Sequence, residues 1–213
     1  MVPSDDRCPN CGAGRRADPD HHFKAAMDSV ANSDIESAIS QLERCLEEHP
    51  DHLPGRFNLG VALSLADRCD EAIGHLYHVL TQDPEYPGIY TALGEAALGS
   101  YLYHEEQARL KGEAMIQLFM RAIEQDDCDV DAYFSLGNAY LALGNGEKAL
   151  SSLRSALALD PRSAAIHYMM AKTCMMLGRF GEARLMARKA LELCTPSDHF
   201  LGDIENLLTE VQC

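Results

Sequence analysis

The feature that most constrains this chain is a pattern of small and large apolar residues that recurs every 34 residues. Leu59-Gly60 is followed by Ala72, Leu76, Val79 and Pro84, and Leu136-Gly137 is followed at the same offsets by Ala149, Leu153, Ala156 and Pro161. One period before the first copy, Ala25-Ala26 leads to Ala38, Leu42, Cys45 and Pro50; one period after the second, Met170-Ala171 leads to Ala183, Ala187, Ala190 and, one place late, Pro196. A further pair, Leu93-Gly94, lies one period after Gly60, but Met115, Phe119 and Ala122 follow it nine places late, because Gly94 and Gly137 are 43 residues apart rather than 34. A period of this length predicts stacked helix-turn-helix units, each burying its apolar face only against its neighbours. Five units start near residues 19, 53, 87, 130 and 164.

The helices read from the same pattern. Leu59, Leu63 and Ala66 recur at i, i+4 and i+7, and Ala72, Leu76, Val79 and Leu80 do so after the turn Asp67-Arg68-Cys69-Asp70. Gly144-Asn145-Gly146 and Gly178-Arg179-Phe180-Gly181 mark turns inside the fourth and fifth units. After the last unit, Thr195-Pro196-Ser197-Asp198 supplies a cap, a proline at the first helical position and an acid, which predicts a helix starting there. Its apolar stripe, Phe200, Ile204, Leu207, Leu208 and Val211, would close the end of the array.

The spacing resembles the tetratricopeptide repeat over residues 19 to 197. Gly60, Gly94 and Gly137 with Ala72 and Ala149 match the close-packing anchors, Tyr140 the aromatic position, and Pro84 and Pro161 the turn. The residue that opens a repeat is aromatic at Tyr90 and Tyr133 but is His22, Arg56 and His167 in the other units. The resemblance implies an all-α, right-handed α-solenoid of about five helical hairpins (19–52, 53–86, 87–129 with a nine-residue insertion, 130–163 and 164–197), preceded by a non-repeating segment 1–18 and followed by a capping helix in 198–213. It further implies that the first helices line a concave groove that takes a partner peptide or helix. The groove positions map to Phe23, Met27, Val30, Phe57, Val61, Leu65, Thr91, Glu95, Phe134, Asn138, Tyr168, Lys172 and Met175. One family subtype clamps a C-terminal carboxylate with Lys, Asn and Arg; here Asn138 and Lys172 stand beside Thr91, Glu95, Phe134 and Tyr168, so that clamp is incomplete. The insertion, rich in helix formers, is expected to lengthen one or both helices of the third unit, where Tyr101, Leu102 and Tyr103 either form a second contact or self-association site or fold back.

Composition sets the remaining bounds. A formal charge of −15 argues against a nucleic-acid surface, which needs clustered Lys and Arg. No stretch reaches the roughly 18 apolar residues of a membrane span, and the polar start of the chain lacks the apolar centre of a signal peptide, so the expected location is the cytoplasm. Among eight cysteines, Cys45, Cys69, Cys128, Cys174, Cys194 and Cys213 are scattered and read as reduced thiols. Cys8-Pro9-Asn10-Cys11-Gly12 has the shape of one zinc-ribbon knuckle. No second pair follows; His21 and His22 completing a zinc site, a site shared between two chains, and a knuckle without metal remain the alternatives. His75 and His78 share a helix face without a third ligand nearby and read as packing or solvent-facing residues.

No nucleophile triad, phosphate loop or dinucleotide motif occurs. The sequence therefore points to a non-enzymatic protein-binding adaptor or assembly factor. Its alternatives are a self-associating scaffold, or a regulatory module built on zinc at Cys8 and Cys11.

Overall fold

The computed structural model describes residues 19–103, 108–196 and 198–210. Among them are eleven α-helices and no strand, which is the expected all-α class. They pair as hairpins: α1 (Pro19–Ala31) with α2 (Ile35–Glu48), α3 (Leu53–Leu65) with α4 (Cys69–Gln82), α5 (Ile89–Tyr103) with α6 (Ala108–Gln125), α7 (Val130–Ala142) with α8 (Gly146–Leu159), and α9 (Ala164–Met176) with α10 (Phe180–Leu193); α11 (Leu201–Glu210) closes the series. The chain divides into two compact bodies, an N-terminal one running to Val79 and a C-terminal one starting at Leu80. In the N-terminal body α1 packs on α2 and α2 on α3; in the C-terminal body each helix from α5 to α10 packs on the next.

The anchors read from the period are the core. Leu42, Cys45, Ala72, Leu76 and Val79 are fully buried, and so are Ala149, Leu153, Ala156, Ala183, Ala187 and Ala190. The nine-residue offset of the third unit is correct too, since Met115 and Phe119 are fully buried and Ala122 nearly so. The glycines explain the close approach of paired helices. A Cβ on Gly60 would lie 2.6 Å from Leu76 Cγ, one on Gly137 would lie 2.7 Å from Leu153 Cγ, and one on Gly94 would lie 2.6 Å from Phe119 Cε1. Three hairpins therefore use the same lock, a large side chain from the second helix seated on a bare backbone of the first.

The hairpin turns share one device. Ser33, Asp67, Gly144 and Gly178 stand at the same position of four units and all have positive φ, between 59° and 73°. The next amide in each turn, from Asp34, Arg68, Asn145 and Arg179, donates back five residues to the carbonyl of Ser29, Leu63, Tyr140 and Cys174 at 2.8 to 2.9 Å. This is the left-handed closure that satisfies the last carbonyls of a helix, and only the two glycines adopt it without a Cβ penalty. In the third unit the equivalent position, residue 101, is still helical. There α5 runs for 15 residues and α6 for 18, against 13 and 14 in the fourth unit, so the insertion lengthens both helices.

One boundary differs from the sequence reading. The last helix starts at Leu201, not beside Thr195. Asp198 Oδ2 accepts from the Thr195 amide at 2.6 Å and from its hydroxyl at 3.1 Å, while the Asp198 amide donates to Thr195 O. The carboxylate thus closes a separate turn over residue types that elsewhere begin a helix. The described part of the stripe packs as expected, with Ile204 and Leu207 buried against Ala171, Ala187 and Ala190 and with Phe200 and Leu208 packed beside them; Val211 lies outside the described residues.

Candidate interaction surface

The positions assigned to the groove sit on the first helices of the hairpins, and the two bodies differ in character. In the N-terminal body they are wholly apolar. Phe23 and Met27 on α1, with Phe57 and Val61 on α3, are half-buried, whereas Val30 is 39% and Leu65 is 64% exposed. The Phe23 ring meets His52 edge-on at 5.2 Å. His52 itself caps α3, its Nδ1 accepting from the Gly55 amide at 2.9 Å.

In the C-terminal body α5 touches α7 and α7 touches α9, and the same face mixes polar with apolar side chains. Thr91 is buried and donates its hydroxyl to Asp129 Oδ2 at 3.0 Å, while Asp129 Oδ1 caps α7 by accepting from the Ala132 amide. Glu95 accepts from the Ser135 hydroxyl at 3.0 Å. Its side chain keeps access to solvent, yet the protein packed around it disfavours the charged form, and Asp131 and Asp129 add like charge, so its pKa lies above the ordinary value. Phe134 is half-buried against the core cluster shared by α8 and α9. Asn138 is half-buried and its Oδ1 is fully enclosed without a hydrogen-bond partner. Lys172 is exposed, with Nζ 5.5 Å from the centroid of the Tyr168 ring.

Tyr168 is engaged within the chain. Its ring stacks on Phe200 at 5.5 Å and 7°, and its hydroxyl donates to Asp203 Oδ2 at 3.3 Å. Met175 packs against the cores on both sides of α9. Neither Phe200 nor Asp203 belongs to the repeat, so the period gave no sign that they would reach a first-helix residue. The three polar contacts Thr91–Asp129, Glu95–Ser135 and Tyr168–Asp203 each bridge about one unit of sequence; two tie α5 to the fourth repeat and one ties α9 to the closing helix.

The raised pKa of Glu95 has a measurable consequence. For a carboxyl whose folded pKa exceeds its unfolded one, the folded state is favoured at low pH and loses that advantage as pH rises through the shifted value. Glu95→Gln keeps an acceptor for Ser135 and removes the charge. Its urea midpoint should exceed that of the parent at pH 7, and the two should converge as pH falls well below the ordinary glutamate value of about 4.3, where the parent becomes neutral in both states. A gap that persists in acid would assign the effect to packing instead.

Only some of the candidate metal ligands fall among the described residues. Cys8 and Cys11 lie outside them. His22 Nδ1 is 2.8 Å from Gln41 Oε1 and Nε2 is 3.8 Å from Glu48, while His21 is exposed. His75 is half-buried, and burial together with the neighbouring Arg56 charge lowers its pKa, which favours the neutral packed form. The three potential ligands that do converge are Asp126, Asp127 and Cys128, all exposed in the turn before α7. Asp126 and Asp127 already accept from the Cys128 amide and thiol. The second contact site expected at Tyr101, Leu102 and Tyr103 rests on side chains outside the described set. No described helix is long and apolar enough to cross a membrane.

Three family models, each described as tetratricopeptide repeat, match residues 23–87, 118–151 and 141–193. Between the matches, residues 88–117 hold the insertion that displaces the period. Among solved structures, TTC0263, a thermophilic TPR protein of Thermus thermophilus, shares 23% identity, with 92% of this chain and 99% of that one covered at a TM-score of 0.78. MamA from Desulfovibrio magneticus shares 17%, covering 84% and 96% at a TM-score of 0.67. Another MamA structure shares 21%, covering 82% and 91% at 0.62. At these identities the likeness concerns the fold. No curated protein matches the chain.

Proposed function

The chain carries tetratricopeptide repeats, and from that premise we propose that it is a non-enzymatic adaptor or assembly factor that holds a partner peptide or helix against its first helices. Repeats of this type serve protein–protein interaction, and the fold has no single core in which to build a catalytic pocket. The observation that supports the reading best is that the first helices keep aromatic side chains only half-buried, Phe23 and Phe57 in the N-terminal body and Phe134 in the C-terminal one. Asn138 stands half-buried on the same face of α7 as Phe134, one turn further along the helix. Phe134 and Lys172 in the C-terminal body offer half-buried apolar area and a charge, and Phe23, Met27, Phe57 and Val61 in the N-terminal body offer an apolar face. Side chains of this kind bind by burying partner groups on a preformed surface. Tyr168 contributes less, because Phe200 already covers its ring.

Capture of partners on the immobilised protein, compared with Phe57→Ala/Phe134→Ala and with Asn138→Ala, tests this. The double variant should lose its partners, since removing an aromatic anchor weakens binding by about tenfold or more. Asn138→Ala should weaken them less. Retention of the same partners by the double variant would show that the first-helix face is not the binding surface.

A further inference from the structure

The charge of this chain is unevenly spread. Residues 146–193, which hold α8, α9 and α10, contain eight of the 18 Lys and Arg but only four of the 33 Asp and Glu. That stretch is therefore net +4 while the rest of the chain carries −19. The same stretch holds Leu159, Met176, Phe180, Leu185 and Leu191, five of the nine large hydrophobic side chains exposed among the described residues. Scattered singly, such groups need no explanation, but apolar and cationic groups gathered on one helix do.

The geometry gathers them on α10. Ala183, Ala187 and Ala190 face inward, fully buried, Ala183 in a cluster with α8 and α9 and the other two in one with α9 and α11. Arg184, Leu185, Arg188 and Leu191 are exposed, Leu185 at 62%. Arg154 on α8 lies one period before Arg188 and is exposed as well. The two helices are held together by a bridge from Arg179 Nη2 to Glu147 Oε1 at 2.6 Å and by a core cluster that joins Leu153 and Ala156 to Ala183. Arg179 and Lys189 place their charge on partners inside the chain, Glu147 and Glu192. Arg154, Arg184 and Arg188 have no ion pair among the described residues. Nothing in the fold requires three uncompensated guanidinium groups beside an exposed leucine.

We propose that this outward face of α10, continued by Arg154 of α8, docks a short acidic, leucine-bearing helical segment of another protein. The site is separate from the first-helix faces and does not depend on them. Guanidinium groups pair carboxylates in a bidentate fork, and Leu185 and Leu191 give the apolar side of such a helix a place to bury. An anionic bilayer or a nucleic acid fits less well. Either is an extended anion that would also meet the rest of the C-terminal body, where residues 80–145 and 194–213 carry −12, whereas charge is screened beyond a Debye length of about 8 Å at physiological salt, so a short segment feels only the ridge beneath it.

The test uses the full chain and a fluorescently labelled helical peptide of repeated Leu-Glu-Glu-Leu-Leu-Glu-Glu heptads, followed by anisotropy at low and physiological salt. Binding should weaken as salt rises, fall about tenfold or more with Arg184→Glu/Arg188→Glu, and fall several-fold with Leu185→Ala. Arg44→Glu, a charge reversal on the exposed face of α2, should leave it unaltered, and helical signal in each variant confirms that the fold is kept. The proposal fails if the peptide does not bind, if the version with Gln for Glu binds equally, or if charge reversal on α10 changes nothing. It also fails if phosphatidylserine vesicles capture the chain more tightly than the peptide does, or if the chain alone self-associates through Arg184 and Arg188.

Discussion

Phe119→Ala is expected to lower the stability of the C-terminal body by about 3 to 5 kcal/mol, the range for removing a fully buried aromatic side chain. Phe119 on α6 has no exposed surface, and its ring covers Gly94 of α5 so closely that even a Cβ there would lie within 2.6 Å. It also joins Met115 to Leu136 and Ala139, so one ring connects the third hairpin to the first helix of the fourth. Collapse around the void is hindered from one side because Gly94 has no side chain to move into it. Leu76 and Leu153 fill the equivalent place in their own hairpins, but with smaller side chains. Urea unfolding followed by circular dichroism measures the change, and a loss below about 1 kcal/mol would mean that the lengthened helices of this hairpin do not depend on the lock that the others use.

What the amino-acid pattern disclosed, and what it concealed, divides along the range of the contacts. The offsets Gly60 to Leu76 and Gly137 to Leu153 are local, within one hairpin, and the helix period states them directly; the shift to Met115 and Phe119 is legible for the same reason. The turns at Gly144 and Gly178 are visible because glycine marks a left-handed residue, whereas Ser33 and Asp67 take the same conformation without advertising it. The start of α11 misleads because Thr195 and Asp198 satisfy each other in a closed turn, and the same residue types would have capped a helix. The surface is the least legible part. Whether Tyr168 is free depends on Phe200 and Asp203, more than thirty residues away and outside the repeat. That Asn138 lacks a partner depends on what surrounds its oxygen, which spacing does not encode. The excess of arginine on α10 is present in the sequence, but the overall −15 hides it until the helix faces separate inward alanines from outward cations.

Ile204→Asp should undock α11 and convert the chain into a self-associating species. Ile204 is fully buried and Leu207 nearly so, among Ala171, Ala187 and Ala190. An unpaired carboxylate has no partner in that cluster, and burying it costs several kcal/mol, more than a helix of ten residues gains by docking a few apolar side chains at about 1.5 to 3 kcal/mol each once its ordering entropy is subtracted. The helix therefore releases in preference to accepting the charge. Release strips cover from the alanine row of α9 and α10 and from Tyr168, which loses both its stacking on Phe200 and its hydrogen bond to Asp203. An uncovered apolar end of a repeat array is a surface that a second copy can occupy. Light scattering across a concentration series should show mass rising with concentration for Ile204→Asp and not for Glu205→Gln, an exposed change on the same helix. Limited proteolysis should cut Ile204→Asp first between Leu193 and Leu201. If the variant instead kept the mass behaviour and cleavage pattern of the parent, α11 would not be the element that seals this end of the array.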